Sequence, residues 1–186
     1  MTPSIQVLSE PLDYDGSQLT SLFGYEQTGI SGDLVIAFCG ACEVGEETMV
    51  DVEDLVAGHR IYSPEMAHFL AEAFGESLEK MVLRQRLFAR LAADLLRERS
   101  GSRVVVRGDD LFIDRRKASI SVATVSPISA LFHFALNIET EGVPVPAIGL
   151  RELGVEWRPF ANELLELYCA ECADIRHATT KVRWVE

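Results

Sequence analysis

Residues 107–126 read RGDDLFIDRRKASISVATVS. Two acids, Asp109 and Asp110, lead into the apolar triplet Leu111-Phe112-Ile113. A charged turn, Asp114-Arg115-Arg116, follows, and Lys117 opens a second strand that alternates from Ala118 to Val125. The pattern predicts a β-hairpin. Charges around such a turn are ordinarily just a solvated turn. Lys117 can meet Asp109 or Asp110 only if the pairing register brings them together, and spacing alone does not fix that register.

Working outward, strands are expected at Arg103 to Arg107 before the hairpin and at Leu131 to Glu139 after it. Upstream, the reading gives a short strand from Gln6 to Ser9 and a helix capped by Ser17 with Leu19, Leu22 and Phe23 on one face. A buried strand runs from Asp33 to Phe38. Ser63-Pro64-Glu65 reads as a helix start, with Met66, Phe69, Leu70, Ala73 and Phe74 as its apolar stripe. Ser77 opens a long helix to about Arg99, with Leu78, Met81, Phe88, Leu91 and Leu95 inward. A short helix covers Leu150 to Leu153, another runs from Pro159 to about Ile175, and Lys181 to Val185 alternates as a last strand. Strands after Ser100 follow one another through tight turns instead of alternating with helices. The class is therefore α+β: a mixed, mainly antiparallel sheet packed with helices.

The chain has 186 residues, which predicts one domain over 1–186 with a core of its own. Its hydrophobic fraction of 48% exceeds what a disordered chain carries. A net charge of −12 argues against a nucleic-acid backbone as the main partner. No apolar run approaches the roughly 20 residues that span a bilayer. The start MTPSIQVLSE has neither a basic nor an apolar signal segment, so a cytoplasmic, reducing location is expected.

The order Asp109-Asp110-Leu111, an Asp turn, then Arg116-Lys117 resembles the segment of biotin and lipoate protein ligases in which Asn-Asp-hydrophobic leads through a Gly-Arg turn to an essential Lys. On that resemblance Asp109 falls at the Asn, Asp110 at the Asp, Arg115 at the turn Gly and Lys117 at the Lys. Downstream, Ala135-Leu136-Asn137-Ile138 is similar to the Gly-Ile-Asn-Val strand of biotin ligases. Residues 144–154, PVPAIGLRELG, look like the loop and helix after it, and His133 falls near the His-bearing strand of lipoate ligases. The whole chain also resembles a small prokaryotic family that carries only a domain-of-unknown-function label. Two departures stand out. The glycine-rich loop those ligases carry upstream is absent, and Ile120 occupies the place of the small Gly that follows the Lys. A different substrate pocket is expected.

The resemblance implies a biotin/lipoate protein ligase-like fold and carboxylate activation. ATP and an acid give an acyl-adenylate, which an amine on an acceptor molecule or acceptor protein would attack. Lys117 would stabilise charge on the α-phosphate, and Asp109 or Asp110 would hold Mg²⁺ or orient the lysine. Arg107, His133 and Asn137 are the residues expected to border the bound cofactor. A second reading is an ATP-free acyltransferase with Cys42 as thioester nucleophile. A third is a non-catalytic small-molecule-binding or assembly protein on the same fold.

The four cysteines form two CxxC pairs, Cys39/Cys42 and Cys169/Cys172. Zinc would need all four to converge. The second pair lies in the helical stretch LLELYCAECADI, where such spacing ordinarily lines a core, so no metal is expected. His68 and His133 read first as packed or capping residues.

Overall fold

The computed structural model describes residues 2–185. In chain order the elements are β1 (Ser4–Val7), α1 (Phe23–Thr28), β2 (Leu34–Val44), α2 (Val52–Ala57), β3 (Ile61–Phe74), α3 (Leu78–Ser100), β4 (Val104–Arg107), β5 (Asp110–Ile113), β6 (Arg116–Lys117), β7 (Ser119–Val125), β8 (Ser129–Glu139) and α4 (Trp157–Ala178). Five strands form one sheet in the order β1-β2-β3-β8-β7, and β4-β5-β6 form a smaller one. Among the strands of the described residues, β1 runs parallel to β2 and the other strand pairings are antiparallel. The expected class, a mixed and mainly antiparallel sheet packed with helices, is the class found.

The largest revision concerns residues 61–74. Met66, Phe69, Leu70 and Ala73 satisfy a helical period, yet the segment is a 14-residue strand. It lies in the middle of the sheet, between β2 and β8, and both of its faces are buried. An apolar run that fills both parities meets the helical template as readily as the strand one. Ala67, Phe69, Ala71 and Ala73 belong to the core under the helices, while Met66 and Leu70 belong to the core on the opposite face. Ser63 does not cap a helix, since its hydroxyl donates to Glu139 O at 3.0 Å. Pro64 sits where the β2–β3 ladder slips between the Cys42–Ser63 and Gly40–Met66 pairs, a place that tolerates a missing N–H.

Smaller revisions have equally local causes. Asp15 accepts the Ser17 amide at 2.9 Å and makes a tight turn there. The helix starts later, at Phe23, after Leu22 takes a left-handed φ of 67° with its amide on the Glu72 carboxylate at 3.0 Å. Residues 150–153 form turns, and Leu78 is exposed on the outer side of α3. Residues 181–185 do not join a sheet, and Val182 and Trp184 stand in solvent. Helix α2, absent from the sequence reading, is capped by Asp51, whose carboxylate accepts from the Glu53 and Asp54 amides.

Helices α3 and α4 cover one face of the large sheet. There Phe69, Phe88, Phe132, Phe134 and Tyr168 form an aromatic cluster with ring centroids 5.2–6.2 Å apart. Each such ring contributes about 1.5–3 kcal/mol through burial, so this face anchors the fold. The opposite face carries Leu34, Ile36, Phe38, Leu70 and Leu131 under Tyr14 and Leu19. Its far end is open, and the candidate site lies there.

Candidate functional site

The hairpin closes through a short loop. Ile113 pairs with Arg116 and Phe112 with Lys117, leaving Asp114 and Arg115 as a two-residue loop with φ of 49° and 65°. Two consecutive positive φ values describe the tight turn whose twist matches paired strands. Asp110 lies diagonally across from Lys117 on the same face. Lys117 Nζ meets Asp110 Oδ2 at 2.9 Å, with both side chains about one-third exposed. Burial raises the Asp110 carboxyl above the ordinary range, the Lys117 charge opposes that shift, and Asp109 and Asp54 add to it.

The backbone of Lys117 is held from the loop side. Its N–H donates to Pro146 O at 2.8 Å, and its carbonyl accepts from Ile148 N at 3.1 Å. Asn137 reinforces this, because its Nδ2 donates to Lys117 O at 3.1 Å and to Ile148 O at 3.3 Å. Gly149 permits the close approach, since a Cβ there would lie 2.3 Å from Ile138 O.

Beside Lys117 opens a cavity of about 480 Å³, within the range of small-molecule sites. Its floor is sheet: Met66 from β3, Ser119 to Val122 at β7, and His133 and Asn137 from β8. Its walls are Thr48 to Asp51, Asp54 and residues 58–62 on one side, and residues 143–145 with Ala147 on the other. The interior is mainly apolar, with Ile61, Ile120, Val122 and Val145 contributing, while charge gathers toward Lys117 and α2. Asp54 of α2 meets His59 Nδ1 at 2.8 Å, and the Arg60 guanidinium lies 4.5 Å above the Tyr62 ring.

At the inner end the rings of Tyr14 and His133 stack with centroids 3.8 Å apart. His133 Nε2 lies 3.0 Å from His68 Nδ1, and His68 Nε2 lies 3.2 Å from Gly40 O. Burial lowers the His68 pKa to about 4 and holds His133 well below the ordinary value. Gly40 makes this possible, because Leu12 O crosses 2.1 Å from where a Cβ would stand. That crossing carries Tyr14 onto the sheet face.

The expected site residues divide into three groups. Lys117, Asn137 and His133 border the cavity, and Asp110 holds the lysine. Asp109 is adjacent but turned away, accepting from Gln85 Nε2 at 2.9 Å with Arg86 at 3.9 Å. Arg107 stands on β4 with its guanidinium 5.3 Å above Phe112, apart from the cavity lining. Sequence reasoning missed the wall from Thr48 to Arg60 and the stack that Tyr14 and His68 make with His133. Asp51 before Val52 and Gly58 after Ala57 were the available cap signals for the wall, whereas the stack depends on a long-range chain crossing.

The cysteines do not converge. Cys42 is fully buried in the sheet core beside Tyr14, Cys39 packs toward the helix side, and Cys169 and Cys172 lie on α4. Burial, with Glu43 nearby, pushes the Cys42 thiol up to about 12. Among the described residues, no group of three or more His, Cys, Asp or Glu has metal-holding geometry, and no helix is long and apolar enough to cross a membrane.

The sheet and its covering helices have a biotin/lipoate protein ligase-like fold. A biotin protein ligase from Leishmania major in complex with biotinyl-5-AMP aligns with a TM-score of 0.60 at 12% identity, over 92% of this chain and 76% of the other. A putative lipoate protein ligase from T. acidophilum with bound lipoic acid, Ta0514, aligns at 0.56 and 11% identity, over 92% and 86%. Within that fold the chain belongs to the family described as Domain of unknown function (DUF366), whose model matches residues 4–183. A protein of unknown function from Pyrococcus horikoshi has a TM-score of 0.93 and 37% identity, covering 98% of this chain and 99% of its own. The uncharacterized protein MJ0805 of Methanocaldococcus jannaschii is 30% identical over 82% of this chain and 72% of its own.

Proposed function

We propose that the cavity binds a small carboxylic acid or acyl group and that the protein activates or transfers it, with Lys117 as the cation at the reacting end. One observation carries this reading: Lys117 is held at 2.9 Å by Asp110, with its backbone fixed on both sides, at the edge of a largely apolar cavity of about 480 Å³. A positioned ammonium beside an apolar pocket suits a molecule with an anionic head and an apolar body. It also suits negative charge that grows during attack of a carboxylate on phosphorus. Asp110 keeps the ammonium oriented, so little reorganisation is needed when that charge develops.

The fold relationship adds ATP and Mg²⁺ to the reading. The donors fit: Lys117 suits an α-phosphate, and the carboxylates of Asp110 and Asp54 are hard oxygen ligands for a magnesium ion that arrives with the nucleotide. When bound, ATP would supply the leaving group that makes the carboxylate reactive. Within this chain, Lys117 neutralises charge, Asn137 fixes the loop behind it, and the wall carrying α2 excludes water. An acceptor amine, on a protein or a small molecule, would complete the transfer.

The acyltransferase alternative loses support from the position of Cys42. Its thiol is buried, weakly acidic and outside the cavity lining. Pyrophosphate exchange across a panel of carboxylic acids tests the ligase reading. Acid-dependent exchange that persists in Cys42→Ser is expected. Exchange with no acid, together with acyl groups appearing on Cys42, would replace it with the thioester mechanism.

A further inference from the structure

We propose that His133 is a specificity-determining residue whose Nδ1 is a fixed hydrogen-bond acceptor at the inner end of the cavity, selecting ligands that present an N–H or O–H donor there. The inference extends the carboxylate reading: Lys117 takes the charged end, and His133 reads the other.

Gly40 sets the first proton. A carbonyl oxygen only accepts, so His68 Nε2, 3.2 Å away, must carry a hydrogen. A neutral His68 then has its lone pair on Nδ1. His133 Nε2 lies 3.0 Å from that lone pair and must donate to it. The same rule applied to His133 places its lone pair on Nδ1. One backbone carbonyl therefore sets two tautomers in succession.

That second lone pair has no partner among the described residues. His133 Nδ1 makes no hydrogen bond among the described residues, whereas no fully buried side-chain nitrogen or oxygen among them lacks one. Nδ1 therefore reaches accessible space, and the space that His133 borders is the cavity. Tyr14 stacked at 3.8 Å keeps the ring from turning. Burial of both rings keeps the pair neutral, which preserves the acceptor.

The two ends are separated along the sheet. Ser119 pairs with Leu136 and Val122 with His133, so Lys117 stands about level with Ile138. Five strand steps at about 3.3 Å put roughly 17 Å of sheet between the levels of Lys117 and His133. An extended amphipathic acid with a donor at its far end matches that arrangement. His68 acts through His133 and is a positioning residue.

The test uses phenol and anisole, neutral probes of similar size of which only phenol donates. Nitrogen NMR of the wild-type protein should show His133 protonated at Nε2 and bare at Nδ1, with the Nδ1 signal moving on addition of phenol. Phenol should bind about 5- to 10-fold more tightly than anisole, the usual worth of one hydrogen bond, and His133→Phe should erase that preference. His68→Phe should release the tautomer, so that a proton appears on His133 Nδ1. A hydrogen on Nδ1 in the wild-type protein, equal binding of the two probes, or no binding of either would overturn the proposal. Neither probe engages Lys117. Loss of hexanoate binding in Lys117→Ala therefore reports separately on the carboxylate reading.

Discussion

At the scale of single residues, two ionisable groups have their states set by what they touch. The hydrogen bond to Gly40 stabilises one tautomer of His68, and burial keeps that ring neutral until about pH 4, against about 6.5 for a free imidazole. The folded value is the depressed one, so between these limits the unfolded chain binds more protons. Stability should be full above pH 6.5 and fall as pH drops toward 4, by on the order of 3 kcal/mol at the low end. Urea midpoints measured at pH 7.0 and 4.5 check this. His68→Gln should show a clearly shallower decline, and an unchanged slope would mean that His68 is not the group being titrated. For Lys117, planar guanidinium cannot replace a compact ammonium held by Asp110. Lys117→Arg should therefore recover only a minor part of whatever activity Lys117→Ala loses, measured in the same exchange assay.

At the scale of elements, the site depends on close approaches that glycine allows. Gly149 brings the loop before α4 onto β8, and a Cβ there would press on Ile138 O. Gly149→Ala should cost about 1–3 kcal/mol, the usual range for forced overpacking. It should also loosen the loop that fixes Lys117, visible as faster amide exchange at Lys117 and Ile148. Helix α2 offers a milder test. Asp51 caps it through two amides, so Asp51→Ala should cost roughly 1 kcal/mol locally. Ligand affinity should weaken while the global melting transition moves little, because the aromatic core lies on the other face of the sheet. Equal weakening of both would show α2 to be part of the main cooperative unit.

The same elements show what could be read in advance. The hairpin at residues 110–117 was legible because charge, an apolar triplet and a short turn are local signals. Lys117, Asn137 and His133 were singled out only through the resemblance to biotin and lipoate ligases, and all three border the cavity. Its register, and hence the choice of Asp110 over Asp109, was not legible, since pairing is decided by contacts along the whole strand. Strand β3 was misread because a strand buried on both faces has lost its alternation. Tyr14 reaches His133 only through the crossing at Gly40, 119 positions away from its partner in sequence terms (133 − 14), and no local pattern encodes such a contact.

At the scale of the whole molecule, one sheet face builds stability and the other builds the cavity. The helix-covered face holds the aromatic cluster, while the opposite face carries the Lys117–Asp110 pair at its open end and the buried, neutral imidazoles of His68 and His133 further in. On the open side, Lys117 is proposed to act on a carboxylate undergoing activation. Its charge should matter most where negative charge is greatest, in the transition state. The most direct measurement compares acid-dependent pyrophosphate exchange with nucleotide affinity in wild type and Lys117→Ala. The account predicts a loss of about 10²- to 10³-fold in exchange with nucleotide binding largely retained. Equal exchange in the two proteins, or loss of binding and turnover in the same proportion, would contradict it.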